Sequence, residues 1–487
     1  MNDQPRDADD PIQPTEEQRT GGTPDSGATP TVVHAPEEAK VEIAHVAPPT
    51  DDRQVEDDDP WASAFQRIMG GNLVMALLAI LTSLVVGGIL IAATDERVQA
   101  TAGYFFARPT DMLGAAWDAV FGAYSALFQG SILNFSRADA GFAQLIKPFT
   151  DTLNFATPLI AAGLGVAITF RVGLFNIGGR GQMLWAAAAA AWVGFSFTLP
   201  PVLHVLVAIA VGIVAGAIWA GIAGALKAFT GAHEVIVTIM LNFVALWFIT
   251  WMLRTPGLLQ NPGSNNPISP PMPETAVLPS IFGAPFTLHW GFVLSVAAVV
   301  FCSWLINRSN LGFQFRAVGF NPNAALNAGM NVKRVTILAM VFAGGFMGLA
   351  GAQQVTGAVT TGFTSGIDAG IGFDAITVAL LGGSTPWGTF FAALLFGAFK
   401  AGGFRMQAAE GVPIDIILVV QSFIVLFIAA PPLVRAMFGL PQPGRKPKRQ
   451  RRRDEARLAA MTAGTQEAGS VETGTEDAGT EQKGAER

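Results

Sequence analysis

The sequence predicts an all-α, polytopic membrane protein with about ten transmembrane helices. Three observations support this prediction. The 487 residues are 51% hydrophobic and 14% charged, with a mean hydropathy of +0.42, which lies on the membrane side of ordinary globular composition. Apolar runs of about twenty residues recur along the chain, and each is long enough to cross a hydrocarbon core of about 30 Å. Most of the charged residues lie towards the two ends of the chain.

Composition divides the chain into three parts. Residues 1–60 carry 16 acidic and 4 basic residues, and we expect a disordered acidic tail because this segment cannot bury enough apolar surface to offset its ordering entropy. Residues 61–434, with 12 acidic and 15 basic residues, form the predicted transmembrane domain. Residues 435–487 form a basic and then acidic tail. No cleavable signal peptide is expected, because no apolar segment precedes Asn72.

The first predicted span is 72–93. Residues 95–147 carry aromatic side chains at loose helical spacing, from Trp117 to Phe128, and we interpret them as amphipathic helices that lie at the membrane interface. The apolar run 375–381 is too short to cross comfortably and is predicted to be broken or re-entrant. The other predicted spans are 152–170, 183–199, 202–229, 235–253, 288–306, 335–353, 387–401 and 414–430.

The distribution of Lys and Arg predicts the orientation of these spans. Residues 255–288 contain no Lys or Arg and are assigned to the trans side by the positive-inside rule. The segment 307–334 carries four cations, and residues 445–453 carry a dense basic run. We therefore expect both tails on the cytoplasmic side of a bacterial cell membrane that the chain crosses many times.

The polar segment 307–334 also contains a predicted short helix. Asn321 is a favoured N-cap residue, and Pro322 suits the first helical position. Ala324, Ala325 and neighbouring residues favour a helix, which Gly329 would end. A short helix between two membrane spans can receive a push from a soluble partner.

The sequence carries no recognisable catalytic or metal-binding pattern. No Gly is followed by Lys, so a P-loop is absent, and His233–Glu234 lacks the second His of a zinc-protease helix. The nucleophile elbow is missing as well. Cys302 is the single cysteine, and we interpret it as a small buried hydrophobe. We therefore predict no catalytic residue, no metal ligand and no enzymatic activity.

Small polar side chains, rather than charges, distinguish the predicted spans. An amide offers both hydrogen-bond donors and acceptors, which suits a neutral polyhydroxylated or heterocyclic solute, and a phenylalanine can stack on a ring. The competing interpretation is that the amides bond neighbouring helices, the phenylalanines pack, and Asp374 caps a helix. The candidates for a solute path are Asn154, Phe155, Asn176, Gln182, Asn242, Gln353, Phe373 and Asp374.

Four stretches resemble the permease subunits of nucleoside and simple-sugar ABC importers. They are NFATPLIAAGLGVAITFRVGLFNIGGRGQMLWAAAAAAWVG from Asn154, HEVIVTIMLNFVA from His233, FRAVGFNPNAALNAGMNVKR from Phe315 and GFDAITVALLGGSTPWGTFFAALLFG from Gly372. The resemblance implies a type II-like importer permease in which solute passes between two permease subunits. It also implies a cytoplasmic ATPase, expected to be a tandem chain that holds ATP and Mg, a second and paralogous permease, and an extracytoplasmic substrate-binding lipoprotein.

The same resemblance assigns a role to the short helix. It implies that this helix is the coupling helix that transmits the motion of the ATPase. Relatives commonly carry an acid followed by two alanines there, whereas this sequence has Asn323 before Ala324 and Ala325. The implied coupling residues are Asn321, Pro322, Asn323, Ala324, Ala325, Leu326, Ala328 and Gly329.

The leading hypothesis is therefore the membrane subunit of an ATP-driven importer for nucleosides or related simple sugars. The alternative is a self-sufficient secondary transporter or channel for a neutral polar solute. Ion-coupled transporters usually keep ionisable residues in mid-membrane positions, and the acids of this chain lie near predicted span ends. A membrane enzyme or scaffold is the third possibility, and it lacks a catalytic constellation.

Overall fold

The computed structural model describes residues 72–438, and this part of the chain is all-α, as predicted. The acidic tail predicted at 1–60, and all but the first few residues of the tail predicted at 435–487, lie outside the described residues. Within them, the isolated antiparallel bridge between Ser280 and His289 is the one β feature.

The helices begin and end where the chain changes composition or meets a capping residue. They are α1 (Asn72–Thr94), α2 (Glu96–Ala102), α3 (Pro109–Ser131), α4 (Phe142–Arg171), α5 (Gly179–Ser196), α6 (Pro201–Thr230), α7 (Glu234–Arg254), α8 (Gly291–Arg308), α9 (Asn310–Phe320), α10 (Pro322–Asn327), α11 (Val332–Gln353), α12 (Ile371–Leu381), α13 (Pro386–Glu410), α14 (Asp415–Ala429) and α15 (Pro431–Phe438). A π-turn at Gln354–Ala358 extends α11, and short 3-10 turns lie at Phe135–Ala140 and Glu274–Ala276.

Seven helices of the described part are long and apolar enough to cross a membrane, and the sharply bent pair of α14 and α15 would make an eighth. This result confirms the polytopic class and shows that the predicted number of about ten is approximate. Two predicted crossings account for the difference. α12 has 11 residues, too few to span alone, and α5 begins with the polar run Gly179–Gln182, which lowers its hydropathy.

The centre of the bundle is formed by α4 and α11. Their apolar windows are 78% and 72% buried inside the protein, compared with 33%, 22% and 33% for α6, α7 and α8. Small residues allow the close packing that such burial requires. A Cβ atom added to Gly216 of α6 would lie 2.5 Å from the carbonyl oxygen of Gly344 in α11, so these two backbones are in contact. The central helices α4 and α11 therefore support the non-helical segments that follow them, 172–178 and 359–370.

The segment 95–147 contains a helix that packs on the bundle, and its place at the membrane interface stays a prediction. Its main element, α3, is one continuous helix of 23 residues that packs against α13, where Gly130 approaches the Cα of Gly402. Ala123, Ala126 and Gly130 lie on the buried face. Of the aromatic residues that suggested an interfacial helix, Trp117, Phe121 and Phe128 are exposed, Trp117 to 70%. Tyr124 instead packs towards α1, where its hydroxyl donates to Leu84 O. The small residues, which permit close approach, decide the packing.

Two interruptions lie in the helical path. Residues 172–178 separate α4 from α5, and residues 359–370 separate the π-turn after α11 from α12. The loop between α7 and α8 provides hydrogen-bond donors for backbone carbonyl groups of the second interruption. Ser269 N donates to Phe363 O at 3.0 Å, and Met272 N donates to Thr360 O at 2.8 Å. Unpaired backbone is tolerated at membrane depth where protein surrounds it. The predicted break before the run 375–381 is confirmed.

Candidate solute path and coupling segment

A cavity of about 610 Å³ lies between α4, the second interruption, α12, α13 and α14. Its volume falls in the range of about 300–1,000 Å³ that is usual for small-molecule sites. The wall combines aromatic rings, three amides and one ion pair. The lining residues are Asn154, Phe155, Pro158, Gln354, Ala358, Val359, Ala369, Gly370, Ile371, Phe373, Asp374, Lys400, Phe404, Ile414, Ile417, Leu418 and Gln421.

Four of the eight residues predicted for the solute path meet at this cavity. Asn154 and Phe155 come from α4, and Phe373 and Asp374 come from the first turn of α12. Phe155 stacks on Phe404 of α13, with ring centroids 5.5 Å apart and an interplanar angle of 23°. Phe373 is 49% exposed. The arrangement presents aromatic faces to the space, which can stack on a planar ring.

An ion pair crosses the cavity wall. Lys400 Nζ lies 2.8 Å from Asp374 Oδ2, and the two side chains are 17% and 20% exposed. Lys400 Nζ also donates to the carbonyl oxygen of Ala369 at 3.4 Å, and Ala369 has a positive φ of 46°, a conformation that non-glycine residues rarely adopt. The pair links α13 to the start of α12. Because the two charges cancel, the wall suits a neutral solute.

Sequence reasoning missed Lys400. The available signal was a single cation near the end of the apolar run 387–401, since an ionisable residue within a span indicates a functional position by default. Its partner could not be identified from the sequence, because 26 positions separate Lys400 from Asp374.

The amides of the cavity differ in how they are bonded. Gln354 Nε2 donates to the carbonyl oxygen of Ile367 at 3.3 Å. By contrast, Asn154 Oδ1 and Gln421 Nε2 are buried without a hydrogen-bond partner among the described residues. A buried polar atom left unpaired costs about 1–3 kcal/mol. Gln421, which sequence reasoning also missed, is 4% exposed.

Three other predicted residues lie at the first interruption and do not line the cavity. They are Asn176, Gln182 and Asn242. Asn176 Oδ1 accepts from Gly178 N at 2.9 Å and from Gln182 Nε2 at 3.1 Å. Asn242 of α7 accepts from Gly181 N at 2.8 Å and donates to Ile177 O at 2.9 Å. These amides bond the backbone groups that the start of α5 leaves free. Their geometry is that of a structural network.

Gln353 has a similar structural arrangement at the end of α11. Its Nε2 donates to Gly291 O at 2.9 Å and to Ser295 Oγ at 3.1 Å. Ser295 Oγ in turn donates to the carbonyl oxygen of Thr157 at 2.9 Å. The side chain is 1% exposed. Gln353 therefore connects α11, α8 and α4 outside the cavity.

A second ion pair lies where the two interrupted helices begin. Arg180 Nε in α5 is 3.3 Å from Asp368 Oδ1, and the Asp368 side chain is 5% exposed. The backbones also touch, because a Cβ on Gly179 would lie 2.8 Å from Gly372 O. Asp368 precedes the start of α12, where a negative charge is favoured by the helix dipole. The first turn of α12 is thus held on one side by Arg180 and on the other by Lys400.

A groove of about 510 Å³ between α6, α8 and α11 offers a contrast. Its lining consists of aliphatic side chains, glycine and phenylalanine, such as Leu206, Phe301 and Phe346. It has no group that could orient a polar solute. The cavity at the second interruption is therefore the better candidate for a solute path.

The predicted short helix is present, as α10. Asn321 Oδ1 accepts from Asn323 N at 3.0 Å and from Ala324 N at 3.1 Å, Pro322 is the first helical residue, and Gly329 has a φ of 82°. This result confirms the predicted cap, start and stop. Ala325 is 4% exposed, whereas Leu326 is 61% exposed and Phe320 just before the helix is 95% exposed. One side of the segment is anchored and the other presents apolar groups outward.

Comparison with known proteins places these features in context. A family model described as a branched-chain amino acid transport system permease component matches residues 148–429. The chain is 35% identical to a guanosine ABC transporter permease protein of Bacillus subtilis over 76% of this chain and 96% of that protein. It is 36% identical to a nucleoside ABC transporter permease protein of Lactococcus lactis subsp. cremoris over 59% of this chain and 80% of that protein.

A further relative broadens this group. The chain is 35% identical to a glucose ABC transporter permease protein of Haloferax volcanii over 57% of this chain and 75% of that protein. No solved structure matches the chain. The matched residues 148–429 include the cavity, both interruptions and α10.

Proposed function

This chain belongs to the family of branched-chain amino acid transport system permease components, and we propose that its own solute is a nucleoside or a related simple sugar. It is the membrane subunit of an ABC importer, a transport component rather than an enzyme. Importers of this class work with an ATPase and a substrate-binding protein. For this chain we propose a tandem ATPase, a paralogous second permease and a lipoprotein that delivers the solute.

The observation that carries the solute proposal is the composition of the cavity wall. Asp374 and Lys400 form an ion pair at 2.8 Å, so an anion or a cation would meet no uncompensated partner. The stacked pair of Phe155 and Phe404 and the amides of Asn154 and Gln421 offer an apolar face and hydrogen bonds. A neutral, partly aromatic and partly hydroxylated solute combines the same two properties. A nucleoside has this chemistry, and a sugar shares its polar half.

The coupling proposal rests on the two faces of α10. Phe320, the last residue of α9, and Leu326 of α10 are exposed large apolar side chains, and exposed apolar patches mark protein contact sites. Ala325 and the buried Phe315 and Val318 of α9 attach this segment to the bundle. We assign to Asn321, Pro322, Asn323, Ala324, Ala325, Leu326, Ala328 and Gly329 the role of docking on the ATPase.

Contacts between α9, the end of α4 and the turn after α12 suggest how a push on α10 reaches the cavity. Gly319 of α9 lies against the backbone of Arg171 and Val172, where a Cβ would overlap the Arg171 carbonyl oxygen. Arg171 Nε donates to Ser384 O at 2.9 Å, and Ser384 lies in the turn between α12 and α13. These contacts join α9, the end of α4 and the turn after α12. A displacement of α10 would therefore move the two helices that carry Asp374 and Lys400.

Orientation completes the proposal. We infer that α10 faces the cytoplasm of a bacterial cell together with both tails, since Arg308, Arg316, Lys333 and Arg334 lie on this side. We further propose that residues 1–60 and 435–487 flank a transmembrane domain at 61–434. The loop between α7 and α8 would then face the delivering lipoprotein.

Reconstitution tests the proposed function. The chain is placed in proteoliposomes with its ATPase, second permease and binding protein, and uptake of labelled guanosine, uridine, ribose and glucose is measured with and without ATP. We expect ATP-dependent uptake of one of these solutes, and none from this chain alone. Uptake by the chain alone under an ion gradient would instead establish the secondary-transporter alternative. ATP-dependent uptake of a solute outside both classes would overturn the proposed specificity.

A further inference from the structure

The proposed function does not say which groups of the solute the two unpaired amide atoms of the cavity would bond. Asn154 comes from the middle of α4 and Gln421 from the middle of α14, and both line the same cavity. Asn154 Oδ1 and Gln421 Nε2 have no hydrogen-bond partner among the described residues. Gln421 is 4% exposed, so bulk water does not explain a polar side chain at this position.

The other amides that were predicted for the solute path differ from these two, because they are bonded to the protein. Asn176, Gln182, Asn242 and Gln353 each bond protein groups at distances between 2.8 and 3.3 Å. They stabilise the interruptions and the helix contacts next to them. Within the described part of the chain, Asn134 Oδ1, outside the cavity, is also without a partner, but Asn154 Oδ1 and Gln421 Nε2 are the two unpaired amide atoms whose residues line one cavity.

We propose that Asn154 and Gln421 form a two-point recognition site that hydrogen-bonds the solute during its passage. This inference rests on the proposed function and names residues within it. An amide pair offers an acceptor and a donor, so its ligand is a neutral group that presents a donor next to an acceptor. The lactam edge of a nucleobase and the adjacent hydroxyls of a sugar share this chemistry. The stacked Phe155 and Phe404 lie on the same wall and would face the rest of the solute.

The position of the pair explains how it could act without trapping the solute. α4 belongs to the rigid centre, with 78% of its apolar window buried, whereas α14 packs at the edge against α1 in a separate small cluster of apolar residues. A relative movement of α14 and α4 would change the separation of the two amides. The solute could then be bound in one state and released in the other, because an interaction with different strength in two states shifts their populations.

The test uses a thiol reporter on the cavity wall. Cys302 is the single cysteine of the chain and is buried, so Cys302→Ala provides a silent background. Leu418 lines the cavity and is 46% exposed, so Leu418→Cys supplies the reporter while both amides stay in place. The rate at which methyl methanethiosulfonate modifies this thiol is measured in the complete transporter, with millimolar guanosine, uridine, ribose or glucose.

We expect the solute to protect the reporter thiol, and we expect Gln421→Leu or Asn154→Leu to raise the half-protecting concentration about five- to tenfold. That ratio corresponds to the loss of one hydrogen bond of ordinary net strength. The matched control is Ser422→Ala, which removes a hydroxyl that bonds the carbonyl of Leu418 within the same helix and does not line the cavity. It should leave protection unchanged. Protection by nucleosides and not by ribose would identify the base edge, and equal protection by both would identify the hydroxyls.

Three results would overturn the proposal. Protection that is unaffected by both leucine variants would mean that neither amide touches the solute. Absence of protection while ATP-driven uptake is intact would refute the recognition site but not the importer function. Absence of ATP-driven uptake would count against the proposed function itself. A reporter that reacts in the isolated subunit and not in the assembled transporter would show that the amides face the second permease. If Gln421→Leu changes the unprotected reaction rate, Gln421→Met, which is similar in length and loses the amide, replaces it, and unchanged protection with that variant would refute the assignment.

Discussion

The ion pair between Lys400 and Asp374 allows the sharpest test of the cavity. Lys400→Met removes the ammonium group and keeps most of the apolar stem, so Asp374 is left charged and unpaired. Removing one partner of a buried ion pair costs about 3–5 kcal/mol. The two side chains are still 17% and 20% exposed, and the bond from Lys400 to Ala369 O is long, at 3.4 Å. We therefore expect a loss at the lower end, about 3 kcal/mol.

The double variant Lys400→Met with Asp374→Asn separates the pair from its parts. It removes both charges, so no uncompensated charge stays in the cavity, and replacing a whole buried pair is often close to neutral. We expect the double variant to recover about 2 kcal/mol relative to Lys400→Met, and the two single effects therefore not to add, as is usual for residues in contact. The measurement is denaturant unfolding of the purified subunit in detergent, repeated for both single variants and the double variant.

Transport provides the second readout of the same cycle. Lys400→Met gives the cavity a net negative charge, whereas the double variant keeps it neutral, so ATP-driven uptake of a neutral solute should fall further in the single variant. Arg254→Gln at the end of α7 serves as a matched loss of one exposed cation outside the cavity lining. Additive unfolding energies, or equal uptake by the single and double variants, would refute the view that this pair exists to neutralise the cavity.

Three further predictions follow from other parts of the chain. Leu326→Glu should reduce co-purification of the ATPase at least tenfold while the subunit still inserts, because Leu326 is 61% exposed on α10. A substitution of Ala325, which is buried, would instead report on local folding. Unchanged co-purification with Leu326→Glu would count against docking at this helix. Gly319→Val should leave ATPase binding intact and abolish uptake, because its side chain would push α9 away from the backbone of Arg171, and normal uptake would exclude this route of coupling. Burial lowers the pKa of His289 from 6.5 to about 4, so the unfolded chain binds the proton first as the pH falls. The stability of the fold should therefore decrease as the pH drops from about 6.5 towards 4, by about 2 kcal/mol at pH 5. His289→Gln should reduce that loss in pH-dependent thermal unfolding, and a pH profile identical to that of the unchanged protein would contradict this prediction.

The coupling segment shows which features can be predicted from local sequence. An Asn that caps, a Pro at the first helical position and a Gly that ends the helix each act through neighbours within four residues. Asn321, Pro322 and Gly329 therefore determine α10 in the sequence and in the structure alike. The interruption before α12 is also predictable from local sequence, because the apolar run 375–381 is too short to span a bilayer.

Helix α3 shows a contact that sequence patterns leave unpredicted. Its aromatic residues, such as Trp117 and Phe121, form the more conspicuous periodic pattern, and they suggested a helix at the interface. The packing is decided instead by Ala123, Ala126 and Gly130, because small side chains allow backbones to approach. A stripe of small residues is nearly invisible to hydropathy, so the contact with α13 could not be anticipated from the sequence.

The amides show how far the candidate site can be predicted from the sequence. Asn242 and Asn154 look alike in the sequence, since each is a single amide in an apolar span. Asn242 finds its partner Gly181 across 61 positions, and Asn154 finds none for its Oδ1 among the described residues. Whether an amide is paired depends on helix contacts that are distant in sequence, so residue type can identify the candidates but cannot separate structural from solute-facing ones.

The charge of the path shows a related distinction. A scarcity of mid-membrane charges predicts an uncharged route, and the described cavity is neutral for a different reason, because Lys400 and Asp374 cancel. The difference has a mechanical consequence. Uncharged walls would tolerate movement of α12 against α13, whereas an ion pair holds these helices together and resists separation. Asp368 and Arg180 hold the same end of α12 on the side of α5. A helix of 11 residues that is tied to both neighbours by charge can move only with them, and this is the property required of an element that must follow a push on α10.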